Sequence, residues 1–146
     1  MLDSTMTLEE IERSLPNGFH DTDILRVTVD YEARCVSFEM AVCVGDPGAE
    51  ELGAREARRR GRLEIRGMVF YVVDPPDPRY PFANSDALFV DMAPINRNSR
   101  TGAALPPLPI GAFEAMFFVD QWNSFINVAG LDAEFVWSIG SVSDRQ

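Results

Sequence analysis

Ile24-Leu25-Arg26-Val27-Thr28-Val29-Asp30-Tyr31-Glu32-Ala33-Arg34-Cys35-Val36-Ser37-Phe38-Glu39-Met40-Ala41-Val42-Cys43-Val44 is the stretch that decides the fold. In its first half Leu25, Val27, Val29 and Tyr31 alternate with Arg26, Thr28 and Asp30. In its second half Val36, Phe38, Met40, Val42 and Val44 alternate with Cys35, Ser37, Glu39, Ala41 and Cys43. A period of two places one set of each run against a core and leaves the other set outward, so both runs read as half-buried strands. The connection between them is too short for a parallel crossover, which makes the pair an antiparallel hairpin.

Upstream, Thr7 and Glu10 form a T-x-x-E capping box, and Met6 can pack on Ile11. Leu8, Ile11 and Leu15 fall on one helical face, and Pro16 with Asn17-Gly18 ends the helix. About two turns of helix cannot stand alone, so that face lies on the sheet.

Downstream, residues 45–61 interrupt the sheet. Their acids come early and their arginines late, as in an exposed helix, and a mobile loop is the alternative. Arg62 to Val73 reads as a third strand, apolar on both faces from Met68 and therefore covered on both sides, by the amino-terminal helix or a second sheet. The prolines of Asp74-Pro75-Pro76-Asp77-Pro78-Arg79-Tyr80-Pro81 forbid regular pairing. Further strands are expected at Ala87–Met92, Phe113–Val119, Ser124–Ala129 and Ala133–Ile139, with a long loop at 94–111. Trp122, Phe125, Ile126 and Ala129 also match helical spacing, but the residue types there favour a strand. The expected fold is mainly β, an antiparallel sandwich-like or strongly curved sheet of about six or seven strands with a short N-terminal helix. The 146 residues read as a single domain, 1–146.

Charge narrows the partners. Thirteen basic residues, all arginine, face 23 carboxylates, for a net charge of −10. Such a chain repels nucleic acid and anionic membrane and favours a basic protein partner, or the charge simply serves solubility. Its longest apolar run, Met68 to Val73, is too short to span a bilayer. Residues Met1–Thr7 have neither basic flank nor apolar stretch, so no signal peptide is expected. Cys35 and Cys43 in one continuous strand lie roughly 26 Å apart, beyond disulfide reach. Free thiols fit a cytoplasmic location.

The catalytic inventory is thin: one histidine, no lysine and no G-x-S-x-G or phosphate-binding glycine motif. His20 and Asp21 could act as base and orienting acid, or contribute to a metal site, but they equally suit a hydrogen-bonded turn. One histidine is few for a zinc site, and no metal or cofactor is assigned. Arg55, Arg58, Arg59, Arg60, Arg62 and Arg66 could grip an anion, yet Glu50, Glu51, Glu56 and Glu64 interleave with them as on a solvated face. The proline-stiffened loop presents Asp77, Arg79 and Tyr80, which Trp122 and Asn123 could join as a binding surface; alternatively the aromatics Tyr80, Phe82 and Trp122 cap the core.

Leu15-Pro16-Asn17-Gly18-Phe19-His20-Asp21, followed by the strand Ile24–Tyr31, resembles the opening of small bacterial β-rich domains, some similar to immunity proteins of polymorphic-toxin systems. The stretches Asp74–Pro81 and Gln121–Ile126 share that character, and the resemblance implies a mainly β domain with a binding role and carries over no catalytic residue. The expected function is a non-enzymatic cytoplasmic binding protein, an immunity-type inhibitor whose acidic surface meets a basic partner. The alternative is a small-ligand or divalent-metal binding domain, or a hydrolase, with a carboxylate-lined site near His20 and Asp21. Oligomeric state is not legible.

Overall fold

The computed structural model describes residues 6–80, 87–139 and 143–144. It is mainly β, with nine antiparallel strands in one sheet and a few short helices. Helix α1 spans Leu8–Ser14, and its capping box is formed: Glu10 N donates to Thr7 Oγ1 and Thr7 N donates to the Glu10 carboxylate. A short extended segment, β1 (Pro16–Phe19), leads to the hairpin β2 (Thr22–Asp30) and β3 (Cys35–Cys43). Val36, Phe38, Met40 and Val42 are fully buried, as their alternation requires.

One detail of β2 differs from the sequence expectation. Ile24 pairs with Met40 and Arg26 with Glu39, so Leu25 is an extra residue bulged out of the ladder. Ile24 follows Thr22 as an inward position, and Leu25 is 37% exposed. Tyr31 lies in the turn, exposed. A bulge shifts the side-chain phase by one residue, which a period-two pattern cannot reveal when both candidates are apolar.

The arginine-rich stretch differs more. Only Leu52–Arg55 (α2) is helical, and strand β4 begins at Ala57 and runs to Arg66, pairing along its length with β3. Gly67, at φ +59°, breaks the strand, and β5 follows at Phe70–Val73. The remaining strands are β6 (Leu88–Ala93), β7 (Phe113–Val119), β8 (Ser124–Gly130), β9 (Asp132–Trp137) and β10 (Ser143–Asp144), with helix α3 at Arg100–Ala104 and a 3₁₀ turn at Asp120–Trp122. The segment 124–130 is a strand, as its residue types indicate.

The ladder runs β10-β4-β3-β2-β6-β7-β8-β5, with β9 also on β4, and is not closed. Its halves are nevertheless joined by the chain, because β4 runs on into β5 and β8 runs on into β9. The β4–β9 and β5–β8 pairings lie on either side of one bend, where Leu131 N donates to Arg66 O and Val69 N donates to Ala129 O. The sheet therefore curves strongly round one core containing Phe38, Leu63, Phe117, Ile126 and Val128. Helix α1 adds Leu8 and Ile11 to that core, and Phe19 packs edge-on against Phe117 and Phe135.

The outer face of β5 and β8 is covered by neither α1 nor a second sheet. The 94–111 loop folds over it, setting Leu105 and Ile95 on Phe70, Ala129 and Val72. Among the described residues no helix is long and apolar enough to cross a membrane.

Candidate functional site

The structure gathers five of the seven sequence-predicted site residues. The Asp74–Tyr80 loop is fastened to the start of β8 by main-chain bonds: Asp74 N donates to Phe125 O and Asp77 N to Trp122 O, both at 2.9 Å. Asp77 accepts from Arg79 N (3.0 Å), Arg79 Nε (3.2 Å), Arg79 Nη2 (2.9 Å) and Asn123 Nδ2 (3.2 Å). These bonds, the Arg79 side chain foremost, hold its carboxyl well below the usual carboxylate range. Asn123 sits at φ 47°, a left-handed conformation that a short polar side chain tolerates, and turns its amide onto Asp77. Trp122 is 9% exposed and belongs to the core, so it supports this loop from beneath. Arg79 and Tyr80 remain exposed. Phe82 lies outside the described residues.

His20 and Asp21 form a separate group. Asp91 of β6 accepts from Asp21 N at 2.9 Å, and its carboxylate lies 3.4 Å from His20 Nδ1. Asp21 is at φ 52°, and Thr22 Oγ1 bonds His20 O. The His20 side chain is 63% exposed. Among the described residues no cluster of three or more His, Cys, Asp or Glu side chains is placed to hold a metal ion.

Beside the Asp74 loop is a pocket that sequence reasoning missed. Residues of the 94–105 segment, including Ile95 and Arg100, face Asp74, Met116, Phe125 and Asn127 across a cavity of about 380 Å³. Asn127 is 3% exposed, and its amide donates to Val72 O and the Asp74 carboxylate, both at 3.1 Å. Arg97 anchors the covering loop, bonding the Glu114 carboxylate together with Leu105 O (3.1 Å) and Pro106 O (3.0 Å). A lining of Ile95, Met116 and Phe125 with one carboxylate and one guanidinium suits binding. The signals for it were a polar Asn127 in an apolar strand and the length of the loop. The two cysteines are free; Cys43 is buried, and Cys35, part-buried, has its thiol pKa pushed up chiefly by burial.

Comparison with protein-family models, with curated proteins and with solved structures found no match to this chain.

Proposed function

We propose that this chain is a non-enzymatic binding protein, of the immunity-inhibitor kind, that holds a basic protein partner against an acidic end of the sheet. The observation that supports the reading is where the solvent-facing acids lie. Several described arginines are engaged by acids of the fold: Arg26 by Glu39, Arg58 near Asp23, Arg66 by Glu64 and Glu134, Arg97 by Glu114. Solvent-facing acids lie on α1 (Glu9, Glu10), at the His20 turn (Asp21, with Asp91 part-exposed) and on the 46–56 segment (Asp46, Glu50, Glu51), Glu9 being shared with Arg13 and Asp91 with the His20 turn. Asn17, in β1 between α1 and the His20 turn, donates from its amide to Cys43 O (3.2 Å) and Gly45 O (2.9 Å), just ahead of the 46–56 segment. Acids concentrated on one surface draw in a cationic partner and reject anionic ones, which favours fast and selective association.

The test is capture from extract of the source organism, with tagged wild type beside a triple variant Glu9→Gln, Asp91→Asn, Glu50→Gln. One basic protein in near-equal amount is expected, released between 0.01 M and 1 M salt as the screening length falls from about 30 Å to about 3 Å. The variant should hold it less well. Bait alone, or a partner held equally by the variant and at high salt, overturns the proposal.

A further inference from the structure

On β4 the pattern of alternation sorts the arginines. Leu63 and Ile65 are fully buried, so Arg60 and Arg62 project from the opposite, outer face. Their cross-strand neighbours on β3 are Ala41 and Glu39. Glu39 is engaged by Arg26 at 3.4 Å, and Arg62 reaches Glu64 only at 3.9 Å. Arg60 has no ion-pair partner among the described residues, in a chain where acids outnumber bases by 23 to 13. Two guanidinium groups beside the one Glu39 carboxylate, which Arg26 already engages, leave this spot cationic within an acidic chain, and that suits an anion.

Two apolar side chains flank these guanidinium groups. Leu25, the bulged residue of β2, is 37% exposed, and Val136 of β9 is 50% exposed. Together with Glu39, Arg60, Arg62 and Trp137 they line a groove of about 320 Å³. That volume falls within the range of small-molecule sites. The bulge is what turns Leu25 out of the ladder toward this groove, and bulges commonly re-aim a side chain for use.

We propose that the groove on the outer face of β3, β4 and β9 binds a small oxyanion carrying a short apolar tail. Outward positions two apart on one strand lie about 6.8 Å from each other, so Arg60 and Arg62 can each reach an oxygen of one phosphate or carboxylate head. The tail lies between Leu25 and Val136. The site is distinct from the acidic end and does not depend on it.

Isothermal titration calorimetry reads occupancy. Octyl phosphate titrated into the full chain should give a saturable change. Arg60→Gln and Val136→Ser, both at exposed positions, should each weaken it at least five-fold while the melting curve stays in place. Inorganic phosphate over the same range should give no saturable change. Equal affinity in both variants, an equal response to octyltrimethylammonium, or no saturable change with octyl phosphate overturns the proposal. Cosedimentation with phosphatidylglycerol vesicles, lost in Arg60→Gln, would overturn the assignment to a free amphiphile.

Discussion

Gly130→Ala tests the bend that joins the two halves of the sheet. A methyl group added at Gly130 would lie 2.4 Å from Ile65 Cγ2 and 2.9 Å from Arg66 O. Elsewhere in a strand, replacing glycine by alanine stabilises by about 0.4–1 kcal/mol, because the unfolded chain has less freedom to lose. Gly130 is not among the positive-φ positions, so that gain would apply here if the space were open. The contacts decide the sign. Ile65 is fully buried and has little room to yield, and overpacking a filled core costs about 1–3 kcal/mol. Displacing Arg66 O also threatens its bond from Leu131 N at 2.9 Å, a further cost of about 1 kcal/mol. Set against the gain, the net loss is about 1–3.5 kcal/mol. For a chain of this length that lowers Tm by roughly 2–14 °C.

Thermal and urea unfolding followed by circular dichroism measure it. Ile65→Ala removes the closest atom, so the double variant should lose at least about 1 kcal/mol less than the two single losses combined. A Gly130→Ala protein as stable as wild type, or more so, refutes the close approach of β8 to β4 and with it the continuity of the bend.

Three further outcomes are expected. Thr7→Ala removes the capping oxygen and should cost about 1 kcal/mol, read as a fall in Tm of roughly 2–4 °C. Arg97→Met keeps the stem but loses the bonds to Glu114, Leu105 O and Pro106 O, so amide hydrogen exchange should rise across residues 94–111 while β3 and β4 stay protected. Asp77 has a lowered folded-state pKa, so its contribution to stability is present above the unfolded carboxylate range and lost as pH falls through the folded value. Carboxyl NMR at about pH 3 should show Asp77 still ionised when ordinary carboxylates, near 3.9 unperturbed, are mostly protonated; Arg79→Gln should bring its titration back up toward theirs.

The β2–β3 hairpin was legible because every inward position of β3 is a large apolar residue and its outward neighbours are small or polar. The start of β4 was hidden for the opposite reason. Its inward positions there are Arg59, which lies 4.6 Å over the Trp137 ring, and Gly61, whose missing side chain makes room for Phe135. A guanidinium stacked on an aromatic ring fills an inward place, but in sequence it looks like one more charge in a charged run. The split at Gly67 and the bulge at Leu25 were equally silent, since each changes phase without changing composition.

Sequence separation explains which parts of the candidate site could be read. Asp77 and Arg79 are two residues apart and the prolines around them fix the turn, so their pairing is local chemistry. Asn123 and Trp122 join them through the register of β8, 46 positions from Asp77. Asp91 stands 70 positions from Asp21, and only the β2–β6 pairing of Thr22 with Val90 brings it to the turn. The same holds for the groove on the outer face: Leu25, Arg60 and Val136 come from three strands, and nothing in their local sequence joins them. Strand register assembles each of these surfaces. A pattern of period two tells which face a residue takes, and pairing decides whom it meets there.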